Sequence, residues 1–118
     1  MASKADAYLF TGTFGQLVSM IQTLAVTPPS ELGDNWKDIT HPTQKANTNR
    51  ITYQDSITGL KIEFDPKISG AKGFKGKDHY HIKNPDVTND SNMYLDINGN
   101  PCAKNSKESH IIIKKKGD

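Results

Sequence analysis

The period of the apolar residues changes partway along this 118-residue chain, from about 3.6 to two, and adjacent prolines stand before the change. On the N-terminal side Phe14, Leu17, Val18, Ile21, Leu24 and Ala25 recur at helical spacing and predict a helix over residues 14–26. Thr13 followed three places on by Gln16 fits a capping box, in which hydroxyl and amide satisfy orphan backbone donors reciprocally. Pro28 and Pro29 must stop the helix by Thr27, because proline removes a donor and disfavours helical geometry in the residue before it. From Arg50 onward the alternation is that of strands. Ile51 and Tyr53 alternate with Thr52 and Gln54, a turn falls at 56–59, and Leu60, Ile62 and Phe64 alternate with Lys61 and Glu63, which is a hairpin signature. Further strands are expected at 78–82, 93–96 and 110–113, with Pro85 closing the first and Asn98-Gly99 turning the chain after the second. One helix followed by about five antiparallel strands is an α+β arrangement.

The length suits one domain, 1–118, with residues 1–30 as its helical part and 50–113 as its sheet. Between them, residues 30–49 read as a polar connection anchored by Trp36 and Ile39, with a short helix near 43–47 and His41 as a turn residue before Pro42. Residues 67–77 hold three glycines and four lysines and predict a mobile or specially folded loop, without the spacing of a Walker phosphate loop. No window approaches the roughly 18 apolar residues of a membrane span, so the chain is expected to be soluble, and its first residues do not read as a signal peptide. Cys102 is the single cysteine, so no internal disulfide can form; with no adjoining charge it is expected to be small and half-buried. Asp96 with Asn98 and Gly99 has too few carboxylates for a calcium loop and is expected to be a turn.

Net charge is only +2, but it is unevenly spread: residues 1–65 carry 5 basic and 7 acidic side chains, and residues 66–118 carry 10 and 6. The C-terminal half is therefore the candidate surface for a polyanion. Fourteen of the fifteen basic residues are lysine, which suits phosphate contacts more than bidentate base reading, although lysine-rich solvated faces are also common. Lys114 to Lys116 read as a frayed tail.

The most informative run is GFKGKDHYHIKNP, residues 73–85. On a strand, His79, His81 and Lys83 share one face while Asp78, Tyr80 and Ile82 share the other. His110, beside Ser109, can reach the histidine face across the sheet, and Lys72, Lys75 and Lys77 precede it. Cleaving an RNA phosphodiester without a metal needs a base for the 2′-OH, an acid for the leaving oxygen and a cation for the phosphorane, and histidines with a lysine supply all three near neutral pH. Three imidazoles are also a zinc ligand set, but the lysines repel a dication and no acidic residue is expected on that face. A structural role for the histidines is the plain alternative. A non-catalytic RNA-binding module would need more stacking aromatics than Phe74, Tyr80 and Tyr94.

The run GKDHYHIKNP, followed by YLDINGNP and KESHI, with NWKDITHP and ITYQDSITGLKIEFDP upstream, resembles the C-terminal toxin modules of bacterial contact-dependent, Rhs and YD-repeat polymorphic toxins. The resemblance covers about residues 33–113. It implies a ribonuclease of the barnase, EndoU, colicin and RelE-like group, with N-terminal helices packed on a twisted antiparallel sheet. It further implies metal-independent cleavage of RNA, with transfer RNA the leading substrate, in the cytoplasm of a target cell reached as the end of a larger secreted or surface polypeptide. The partner it implies is an immunity protein, expected to be acidic, and no cofactor is expected. Carried onto this chain, it implies His79, His81 and His110 as the catalytic set with Lys75 or Lys77 as supporting cation; Lys77 is expected to be the catalytic lysine, and Lys72, Lys75, Lys83, Tyr80 and Ser109, placed around these histidines, are expected to be RNA contacts.

Overall fold

A computed structural model describes residues 6–114. Of the expected lysine tail, Lys115 and Lys116 lie outside the described residues, whereas Lys114 is tied in by its N–H, which donates to the Ala25 carbonyl at 2.8 Å.

Helix α1 spans Phe14–Leu24, and its capping box forms: the Thr13 hydroxyl accepts from the Gln16 N–H at 3.1 Å, and the Gln16 side chain accepts from the Thr13 N–H at 2.7 Å. It ends two residues early because the Val26 and Thr27 N–H groups turn back to the Thr23 and Leu24 carbonyls ahead of Pro28. Leu17, Ile21 and Leu24 are buried, while Phe14, the first residue of the stripe, is left 60% exposed.

Seven strands follow: β1 Trp36–Asp38, β2 Ile51–Asp55, β3 Lys61–Asp65, β4 His79–Lys83, β5 Tyr94–Leu95, β6 Pro101–Cys102 and β7 Ile111–Ile112, with helix α2 (Pro42–Asn47) between β1 and β2. All pairings are antiparallel in the order β1-β2-β3-β4-β5-β6, and β7 pairs with β4. The architecture is α+β, as the change of period predicts. Strands β1 and β6 were not expected; at three and two residues they are too short to show an alternation. Helix α2 is N-capped by the Nδ1 of His41, which accepts from the Thr43 N–H at 3.1 Å, so His41 is a structural turn residue. The β2–β3 turn is closed by the buried Asp55 carboxylate, which accepts from the N–H groups of Ile57 and Thr58 and from the Thr58 hydroxyl. Its Gly59 has φ +87°, and a Cβ there would lie 2.5 Å from the Leu9 carbonyl oxygen, so no other residue fits. Among the described residues no helix is long and apolar enough to cross a membrane.

The β3–β4 register pairs Ile62 with Ile82, Glu63 with His81, Phe64 with Tyr80 and Asp65 with His79. Directly paired residues share a face. One face therefore carries Ile62, Phe64, Tyr80 and Ile82, which join Leu17, Ile21 and Leu24 of α1 with Leu60, Leu95 and Ile111 in the core. Tyr80 is fully buried in it and donates to the Thr27 carbonyl at 2.6 Å, fastening the chain after α1 to the central strand. This corrects the expectation that Tyr80 contacts RNA. The opposite face carries Glu63, Asp65, His79, His81 and Lys83, and α2 reaches it at β2, where the Thr52 hydroxyl donates to Gln44 at 2.9 Å.

Candidate active site

Strand β4 changes partner along one edge, pairing with β7 at His79 and Tyr80 and with β5 at Ile82 and Lys83. His81 sits at the change, and there the chain entering β7 delivers His110. The three rings meet: His79 and His81 centroids are 5.1 Å apart, His79 and His110 5.0 Å, and His81 and His110 4.7 Å. The histidines anticipated from the sequence are thus one cluster. Contrary to an open face, His79 and His81 are each only 4% exposed.

Burial is possible because β3 supplies the acidic residue that the local pattern did not anticipate. Asp65 Oδ2 accepts from His79 Nε2 at 3.3 Å and His81 Nε2 at 3.2 Å. Arg50 holds that carboxylate with two donors, Nε to Oδ1 at 2.6 Å and Nη2 to Oδ2 at 2.8 Å, and its Nη1 reaches Glu63 at 3.0 Å. Tyr94 completes the network by donating to Glu63 at 2.6 Å while its ring stacks on His81 at 4.6 Å. Burial alone would raise the Asp65 pKa, but the donors from His79, His81 and Arg50 outweigh it and hold the carboxyl well below the usual range.

The two outer histidines meet surroundings that push their pKa values in opposite directions. Nδ1 of His79 lies 2.9 Å from the Lys77 carbonyl, which can only accept, and its Nε2 faces Asp65. Both nitrogens face acceptors, an arrangement that favours the imidazolium. Burial opposes that charge, yet the bonds to Asp65 and Lys77 raise the His79 pKa above its ordinary value. His110 uses Nδ1 to donate to the Ser106 carbonyl at 2.9 Å, leaving Nε2 with a lone pair. Burial and then the neighbouring His81 and His79 lower its pKa. Between them, His81 Nδ1 is buried with no partner.

These rings line a cleft of about 560 Å³ whose rim includes Lys75, Lys104, Asn105 and Phe74. The lysine-glycine loop is folded onto it, with the Ile68 N–H on the Lys75 carbonyl at 2.7 Å and the Lys67 N–H on the Asp78 carboxylate at 2.7 Å. Gly76 permits that fold, since a Cβ there would meet the Ala71 carbonyl at 2.3 Å. Phe74 is thereby stacked on His110 with centroids 4.3 Å apart.

Of the anticipated lysines, only Lys75 lines this cleft; Lys83 lines the adjoining grooves, and the side chains of Lys72 and Lys77 line none of them, Lys77 acting through its carbonyl. Ser109 is fully buried and donates to the Ser106 carbonyl at 2.8 Å, which corrects its assignment as an RNA contact. Arg50, Asp65 and Lys104 went unnoticed because nothing local marks them. A signal existed for Asp65: it lies two places beyond Glu63, on the face that a tight hairpin turns toward β4.

The ring nitrogens of His79, His81 and His110 include one from each within 4.8 Å of one another, which would suit a metal ion. A metal there would have to take Nε2 of His79 from Asp65, or its Nδ1 from the Lys77 carbonyl, whereas the buried Nδ1 of His81 has no partner and would gain one. No protein-family model, curated protein or solved structure matches the chain.

Proposed function

We propose that this chain is a metal-independent endoribonuclease. One observation carries the reading: His110, whose Nδ1 bonds a carbonyl and leaves Nε2 open, shares one cleft with His79, whose two ring nitrogens both face acceptors, the ring centroids 5.0 Å apart. Nε2 of His110 takes the 2′-OH proton, the 2′ oxygen attacks phosphorus, and the P–O5′ bond breaks as the His79 imidazolium turns its Nε2 proton from Asp65 to the leaving oxygen. The products are a 2′,3′-cyclic phosphate and a free 5′-OH, with His110 now charged and His79 neutral. Asp65, carried by Arg50, fixes the orientation of His79 and His81, and Lys75 and Lys104 at the rim balance charge on the phosphorane. The catalytic cation is thus Lys75 with Lys104 in place of Lys77. The resemblance to polymorphic toxin modules agrees with this chemistry and extends it to transfer RNA and to capture by an acidic immunity protein, since opposite charge speeds association.

The test is to incubate the protein with total bacterial RNA, with and without EDTA, and to map the new ends. Discrete cleavage surviving chelation and leaving 2′,3′-cyclic phosphates is the expected result. Cleavage abolished by EDTA would assign the histidines to a metal, and intact RNA in both tubes would sink the catalytic reading.

A further inference from the structure

The histidine cleft does not end at the histidines. Along the β3–β4 ladder the histidine face presents three successive pairs, Asp65 with His79, Glu63 with His81, and then, by continuation of the Ile62–Ile82 register, Lys61 with Lys83. Each step of two residues advances about 6.7 Å along the strands. The first two pairs are internally balanced, because Arg50 binds both carboxylates and Tyr94 also donates to Glu63. The third is not. Two lysines directly opposite each other on neighbouring strands repel, and such a pair is unfavourable unless an anion sits between them. Lys61 is nonetheless held in place, its ammonium 5.1 Å over the ring of Tyr8, whose hydroxyl in turn bonds the Lys61 and Lys83 backbone.

The space beside this pair is a groove of about 540 Å³ lined by Lys61, Glu63, Lys83, Thr52 and Gln44. Gln44 also lines the histidine cleft, and a smaller cavity of about 270 Å³ joins Lys83 to Arg50, Tyr94 and Lys104 on the cleft's other margin. The groove beside Lys61 and Lys83 therefore adjoins the histidine cleft at Gln44.

We propose that Lys61 and Lys83 form a second phosphate subsite, which holds single-stranded RNA along the β3–β4 ladder while the phosphate two positions along occupies the histidine cleft. This rests on the ribonuclease reading. The two ladder steps from Asp65–His79 to Lys61–Lys83 span about 13 Å, comparable to two phosphate spacings in an extended strand, and lysines contact phosphate without reading sequence. A single strand is required because His79 is 4% exposed: the reacting phosphate has to descend into the cleft, which an unpaired strand does without breaking base pairs.

The experiment compares kcat/KM on a dinucleoside phosphate, which has one phosphate, with that on an octanucleotide, for the wild type and the Lys61→Ala/Lys83→Ala double variant. The expected result is an unchanged dinucleotide rate and about a tenfold loss on the octamer at low salt, with a log–log salt slope smaller by about 0.7. Equal effects on both substrates, or none on either, would overturn the subsite. Binding of a 2′-O-methyl octamer, read by fluorescence anisotropy, needs no chemistry. If the wild type cleaves neither substrate but the double variant binds this octamer about tenfold more weakly, the subsite stands and the catalytic reading falls. Unchanged binding removes the subsite whatever the kinetics show.

Discussion

The two faces of strand β4 are equally shut off from solvent and are built from opposite materials. Tyr80 and Ile82 are 0% exposed beneath α1; His79 and His81 are 4% exposed beneath one another, Tyr94, His110 and the Asp65–Arg50 pair. On the first face burial removes apolar area from water and stabilises the fold directly, at roughly 25 cal/mol per Å². On the second it desolvates ionisable groups, which costs free energy unless every group is paired. The pairing is nearly complete, and His81 Nδ1 is the buried polar side-chain atom, among the described residues, left without a partner. One strand thus keeps stability on one side and chemistry on the other.

If that division is right, the largest effect falls on rate alone. His110→Ala should lower RNA cleavage by about 10²–10⁴-fold with little change in melting temperature, since the ring is only half-buried at the rim. A melting loss as large as that of a core variant would break the comparison. Ile82→Ala is the opposite case: a loss of about 2–5 kcal/mol in denaturant unfolding, with the pH profile of the surviving folded enzyme unaltered. A displaced profile would mean that the faces are coupled through β4.

Asp65→Asn touches both properties. Stability should fall on the order of 2 kcal/mol, because Arg50 loses its carboxylate and two buried histidines lose their acceptor. The pH dependence sharpens this. Wild-type kcat/KM should be bell-shaped, rising below 6.5 as His110, lowered from that value, loses its proton, and falling above 6.5 as His79, raised from it, does the same. His79 also stabilises the fold; that contribution is fully present below its unfolded value near 6.5 and is lost as pH climbs through the raised folded value. In Asp65→Asn the alkaline limb should shift toward acid and this loss of stability should vanish. An unmoved limb would take Asp65 out of the control of His79. The smallest effect is expected for Lys75→Ala, a salt slope for RNA binding lower by about 0.7 with folding untouched. An unchanged slope would leave Lys75 off the phosphate path.

Much of this molecule was written in short-range pattern. The capping box at Thr13 and Gln16, the break at Pro28 and Pro29, the β2–β3 hairpin and the alternation that puts His79 and His81 together all depend on spacing within a few residues, and all appear. The expectation of an open histidine face failed because local pattern does not reveal what a neighbouring strand contributes. Tyr80 illustrates the same limit: an aromatic on a strand can stack on a base or fill a core, and only its 53-residue reach to Thr27 decides which.

By itself the sequence determined the helix, the main strands and which residues share a face, because side-chain direction follows local backbone geometry. Tertiary structure alone decided that Asp65 lies beside His79 and His81, that Arg50 neutralises it, and that His110 arrives where β4 exchanges β7 for β5. Proton affinities are set by such neighbours, through burial, charge and hydrogen bonds from residues distant in the chain, so the roles proposed for His79 and His110 become distinguishable only once the sheet has assembled.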